Sequence, residues 1–277
     1  MSPAVIGLAL FAAVLHATWN AVLRAGADRL WSMTVMSVAA TAVAIPWAAL
    51  LPLPEPASWP YLLLSSALQV GYSVFLVFAY RHGELGQVYP VVRGSVPLLV
   101  TLGAFLATGQ RPPGLALLGI ALVGLGIISL AIGRSRATPA SILLALATGL
   151  FIAGYSTTDA VGVRLAGNAQ AYAAWIFLIY GLLMPAAFVV LRGRITIDLG
   201  SPEALKALAG GVLSLLAYGA VVVAFSLGPA GPISALRETS VVFAALIGRI
   251  FLGEALTPHR LAACAVVAIG AICLGAT

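Results

Sequence analysis

His16 and Asn20 stand four residues apart in an otherwise apolar stretch, so on a helix they share one face, with Trp19 beside them. Tyr155 and Asp159 repeat that spacing in the second half of the chain. Ionisable groups inside a bilayer are costly and usually turn toward the protein interior or a cavity. There, His16 or Asp159 could carry a proton. A histidine titrates in a useful range, and an aspartate holds a proton where burial favours its neutral form. The alternative is local: Asn20 and Asp159 lie near the ends of their apolar stretches and could cap or anchor them.

Two arginines also fall where hydrocarbon is expected. Arg93 follows Tyr89 and Pro90 inside an apolar run, and Arg237-Glu238 sits at the matching depth of a later one. A buried guanidinium needs an anion, a carbonyl or water. Glu238 offers an anion to Arg237. Arg93 has no acid on its own turn, which leaves Asp159, a solute carboxylate or cavity water. Otherwise each arginine snorkels to the nearer headgroups. Gln69, Tyr72 and Trp175 lie further from their segment ends and are candidate pocket walls. Aromatics nearer the ends, such as Tyr80, Tyr172 and Tyr180, read mostly as interfacial belt residues. Pro90, Pro97 and Pro232 remove backbone donors and are candidate kinks or hinges.

The elements that position these groups are membrane spans. Of 277 residues, 62% are apolar and 8% charged, against about 25% charged in a soluble domain. The mean hydropathy is +1.09. Ten apolar segments follow, near 4–23, 31–51, 60–80, 86–107, 114–132, 139–161, 170–191, 204–226, 230–252 and 258–276. Each approaches the roughly 20 residues a helix needs to cross the hydrocarbon. Runs such as Leu115–Ile132 do not alternate as barrel strands do. Residues 4–23 read as a first span rather than a cleaved leader, having no basic region ahead of them. The glycines of Gly119–Gly126 permit close helix contact, either within the chain or in a dimer.

The formal charge of +6 comes from scattered bases, which argues against a nucleic-acid partner. Ten of them fall in or near the odd-numbered loops: Arg24, Arg29, Arg81, Arg134, Arg136, Arg192, Arg194, Lys206, Arg249 and Arg260. Only Arg111 and Arg164 fall in the even ones. The positive-inside rule then puts the odd loops in the cytoplasm and both termini outside. Cys264 and Cys273 share the last segment on opposite faces, giving neither a metal site nor a disulfide. No phosphate-binding loop and no H-E-x-x-H sequence occurs, so neither ATP coupling nor zinc chemistry is indicated, and no cofactor is implied. A membrane enzyme would need a nucleophile and base at one depth, and His16 is the one histidine inside a span. A nontransporting scaffold is a remote alternative.

The halves, 1–136 and 137–277, resemble each other. Gly83, Gly86, Ser95, Val96, Gly103 and Pro113 match Gly228, Gly231, Ser240, Val241, Gly248 and Pro258. Five spans per half invert the second copy, a construction common in secondary transporters. The stretch Leu236-Arg237-Glu238-Thr239-Ser240 through Gly248, with Phe251-Leu252-Gly253-Glu254, is similar to the signature of the EamA domain of the drug/metabolite transporter superfamily. Val92-Arg93-Gly94-Ser95 through Gly109 looks like a diverged copy without the Gly-Glu pair. His16-Ala17-Thr18-Trp19-Asn20 resembles the opening helix of such proteins.

The resemblance implies an all-α polytopic fold of ten transmembrane helices in two inverted five-helix repeats. Spans one to four and six to nine would surround a cavity, with five and ten outside, often at a homodimer contact. It also implies a bacterial inner-membrane permease, often an exporter, of amino acids, related metabolites or drugs. The two halves themselves suggest alternating access between them, with His16 or Asp159 as the proton carrier if transport is proton-coupled. Arg237, Glu238 and Glu254 fall in the recurrent motif, and Glu254 is expected to shape a gate or loop rather than bind the solute.

Overall fold

A computed structural model describes residues 1–25, 28–82, 85–132, 138–251 and 256–277. These form eleven α-helices and one 3-10 turn, Pro56–Ser58. The helices are α1 (Pro3–Ala25), α2 (Arg29–Ala49), α3 (Trp59–His82), α4 (Leu85–Thr108), α5 (Gly114–Ser129) and α6 (Pro139–Leu165). They continue with α7 (Ala169–Arg192), α8 (Pro202–Leu227), α9 (Ala230–Glu238), α10 (Ser240–Phe251) and α11 (Pro258–Gly275). Among the described residues, eight helical stretches are long and apolar enough to cross a membrane, and α9 with α10 counts as one of them. Leu106, Leu182 and Ile272 are more than two-thirds exposed on the outer surface. Lipid, not water, is the solvent that suits such an exterior, and the chain is a multi-pass membrane protein.

Polar caps start several helices. Asp28, Thr138, Ser201 and Thr257 each accept a backbone N–H three residues on, at 3.1–3.2 Å. Three of these caps precede a proline at the helix start, where its missing N–H costs nothing. Asp28 also pairs with Arg192 of α7 at 3.1 Å, and Trp31 Nε1 donates to the Thr196 carbonyl at 2.9 Å. The ion pair is about 40% exposed on both sides, so it stabilises little. Asp28→Ala is therefore expected to lower the thermal midpoint in detergent more than Arg192→Ala does, because it removes the cap as well. The cap alone contributes about 1 kcal/mol.

The expected ninth span is interrupted. Thr239 separates α9 from α10: its N–H and hydroxyl both reach the Leu236 carbonyl, at 3.1 and 2.6 Å. This tight i→i+3 closure spoils the regular ladder directly after Arg237-Glu238. No glycine or proline marks it, so the sequence alone gives no sign of a break. Pro232 sits in the first turn of α9, where a missing donor is harmless. Pro90 and Pro97 are taken up inside a continuous α4.

Packing is mirrored between the halves. The first helix lies on α8 as α3 lies on α6; α2 packs on α8 as α3 does on α7; α4 packs on α6 as α1 does on α9 and α10. The α2–α7, α4–α9 and α5–α11 pairs face one another across this relation. The glycine stripe of α5 is spent inside the chain. Gly119 and Gly270 meet across α5–α11, each with the other's carbonyl where a β-carbon would sit, and Gly124 meets Gly94 of α4 in the same way. Because the obstacle is backbone, Gly119→Ala is expected to cost about 1–3 kcal/mol. Gly7→Ala, which meets open space, should be neutral or slightly stabilising. Thermal unfolding in detergent compares the two.

Candidate functional site

At the centre lies a cavity of about 90 Å³. Its lining comes from α1–α4 and α6–α9, and α5, α10 and α11 contribute none of it. The sequence candidates His16, Trp19, Gln69, Tyr72, Arg93 and Arg237 all border it. Phe177, Tyr155, Tyr180 and Tyr218 supply further aromatic wall. His16 meets Trp19 edge-on at 4.8 Å, and Tyr155 meets Tyr72 and Tyr218 edge-on at 6.1 and 5.6 Å. Such contacts hold flat side chains in fixed orientations.

Two charged residues of this lining, Arg93 and Arg237, belong to a triad with Glu238. Glu238 Oε2 lies 2.8 Å from Arg93 Nε, and Glu238 Oε1 accepts from Arg237 Nη2 at 3.2 Å. All three residues are at most 3% exposed. The Arg93 contact is an ion pair whose N–H is not aligned on the oxygen. Two guanidinium groups against one carboxylate leave a net charge of +1. Arg93 Nη2 and Arg237 Nε are buried without a hydrogen-bond partner. Arg93 also stands 6.0 Å from the Tyr89 ring centroid. Arg237 lies in the last turn of α9, where the helix dipole favours a cation. The counter-ion for Arg93 is thus neither Asp159 nor a group on its own turn. It is Glu238, from the other half of the chain.

Three expected wall residues are not part of the lining. Asn20 turns its amide back onto the His16 carbonyl at 2.8 Å. Trp175 packs against Trp59 at 4.9 Å. Asp159, with no exposure, is enclosed by hydroxyls: Tyr172 donates to Oδ1 at 3.0 Å and Tyr218 to Oδ2 at 2.5 Å. Tyr172 is therefore an interior residue, not a belt residue. Gly162, one turn beyond Asp159, gives it room, since a methyl there would overlap the Tyr172 hydroxyl. Pro90 is buried in α4 three residues before Arg93. Glu254 lies outside the described residues.

Sequence reasoning also missed the face that α2 presents: Met33, Met36, Ser37 and Ala40. Their i, i+3, i+4, i+7 spacing was the available signal. It is faint because the whole helix is apolar.

A polytopic helical protein whose mirrored halves enclose a charged, aromatic-walled cavity has the architecture of a solute carrier. The comparison with family models makes this specific. Residues 139–276 match the EamA-like transporter family, so the second half of the chain is an EamA-like domain, the domain of a transporter and not of an enzyme. One solved structure, described only as the crystal structure of a protein, superposes with a TM-score of 0.82. It covers 98% of this chain and 98% of its own at 20% identity, a likeness of fold alone. Comparison with curated proteins gives no match.

Proposed function

We propose that this protein is a secondary transporter that moves a small organic solute bearing a carboxylate, an amino acid or a related metabolite. The supporting observation is that Arg93 and Arg237 both line the cavity and share a single carboxylate, while each keeps a buried guanidinium nitrogen, Nη2 and Nε respectively, without a hydrogen-bond partner. A carboxylate drawn by that net charge gains charge-assisted hydrogen bonds once the guanidinium groups turn their free N–H toward it. Trp19, Tyr72, Tyr155 and Tyr218 offer flat faces to the rest of the solute. The same net charge argues against hydrophobic cations, since the acid that could attract them, Asp159, is shut behind Tyr218.

The mirrored helix pairs support reading residues 1–136 and 137–277 as inverted repeats, with ten spans once α9 and α10 are counted together. Met1 and Thr277 line one cavity at the same end of the bundle, as an even number of crossings requires. In this reading the basic loops are cytoplasmic, the membrane is a bacterial inner membrane, and flux is outward. The two halves rock around the central site, with Glu238 holding Arg93 and Arg237 together when the solute is absent.

The test is ligand-induced thermal stabilisation of the purified protein with amino acids and their carboxamides, because a ligand of the native state raises apparent stability. Stabilisation by at least one amino acid and not by its carboxamide is expected. Stabilisation by hydrophobic cations alone would replace the carboxylate reading with the cationic one.

A further inference from the structure

Asp159 takes no part in the anion-binding scheme above, yet among the described residues it is the most enclosed carboxylate apart from Glu238. Both have no exposure, but Glu238 has two arginines and Asp159 has none. Among the described residues, no arginine, lysine or histidine forms an ion pair with Asp159. Its surroundings are hydroxyls: Tyr172 of α7, Tyr218 of α8, and Ser65 of α3, which in turn accepts from Gln69 Nε2 at 3.2 Å.

Other ionisable groups stand further off. Tyr61 adjoins Tyr172 on the α3 side. On its own helix are Tyr155, between Asp159 and the triad, and Arg164, whose guanidinium donates to the Phe225 and Gly228 carbonyls. Arg93 of α4 and Arg237 and Glu238 of α9 lie beyond Tyr155. Tyr72 of α3 touches Tyr155 edge-on, and Glu55, beside the 3-10 turn, has its backbone N–H on the Ala166 carbonyl.

A lone carboxylate in such a place is costly when charged, and hydroxyls alone offset little of that cost. Binding one proton removes it. The hydroxyl groups around it donate to the ionised form and can rotate to accept from the neutral one. Tyr218 borders the cavity and also touches Asp159, and so joins the two. We propose that Asp159 is a proton-binding site loaded from the central cavity through Tyr218. In the loading step the Tyr218 hydroxyl gives its proton to Oδ2 and takes one from a hydronium ion on the cavity side, which is left as water. The net event is one proton bound, with the tyrosine unchanged. The site gives the carrier a second, cationic cargo held apart from the arginine triad, and it stands whether or not that triad binds a carboxylate.

The experiment is infrared difference spectroscopy of the full chain in lipid as a function of pH. It needs no solute. A protonated-carboxyl band that appears reversibly as pH falls, absent from Asp159→Asn and retained in Glu238→Gln, is the expected result. In Tyr218→Phe the band should remain, but its shift on transfer to heavy water should slow by roughly tenfold or more, one pathway having been removed. Tyr172→Phe, which does not border the cavity, should exchange as fast as the parent. A pH-dependent spectrum unchanged by Asp159→Asn overturns the proposal. So does a band lost in Glu238→Gln instead. If Asp159→Asn fails to fold, the exchange rates of the two tyrosine variants decide alone, and equal rates would overturn the Tyr218 route.

Discussion

Replacing Glu238 with alanine is expected to destabilise the protein more than any single change on the cavity wall. The substitution leaves Arg93 and Arg237, both buried, without their shared counter-ion. Breaking a buried pair by removing one partner costs about 3–5 kcal/mol, chiefly because the remaining charge is uncompensated. Here two like charges remain. Glu238→Gln keeps the shape and one acceptor, and should fall between alanine and the parent. The triple replacement of Arg93, Arg237 and Glu238 by methionine should recover most of the loss, since apolar groups of similar size need no counter-ion. Thermal midpoints and the yield of monodisperse protein report the order. A Glu238→Ala protein as stable as its parent would mean that water solvates both guanidinium groups, and that the triad is not a closed structural unit.

The second large effect concerns binding. Arg93→Ala and Arg237→Ala should each weaken the carboxylate solute found in the stability screen by about 2–5 kcal/mol, at least roughly thirty-fold. Lysine at either position keeps the charge but loses the planar fork, so it should restore only part of the affinity. Comparing the solute with its carboxamide on parent and variant closes a double-mutant cycle. The affinity for the carboxamide should be nearly the same in all proteins, so the preference for the acid should shrink in the arginine variants. Equal losses for solute and carboxamide in the arginine variants would instead show that the arginines shape the cavity without touching the acid.

Much of the scaffold could be read from composition alone, because a bilayer-spanning helix has to be a long apolar run. The segment expected at 139–161 appears as α6, Pro139–Leu165, and the others agree to a few residues at most ends. Two kinds of information were not legible. The first is local: the break at Thr239 comes from a threonine hydroxyl and an i→i+3 bond, in a stretch with no glycine or proline. The second is long-range. Arg93 and Glu238 are 145 positions apart in sequence, and nothing near Arg93 announces that its partner lies in the other half. The same limit applies to Asp159. Its spacing from Tyr155 marked it as polar within a span, but whether it faced the cavity depended on where α7 and α8 set Tyr172 and Tyr218. By contrast, His16, Trp19, Gln69 and Tyr72 could be singled out because polar or amphipathic residues in mid-span are themselves the signal.

Solute counterflow in vesicles tests the central claim most directly. The purified protein is reconstituted into liposomes loaded with the unlabelled amino acid that stabilises it, and accumulation of external labelled solute is followed. A saturable, transient overshoot is expected. It should be competed by the free acid but not by its carboxamide, and be absent from liposomes carrying Arg93→Ala protein that remains folded. No overshoot with well-folded parent protein, or equal competition by acid and carboxamide, would contradict a carrier whose arginine pair recognises a carboxylate.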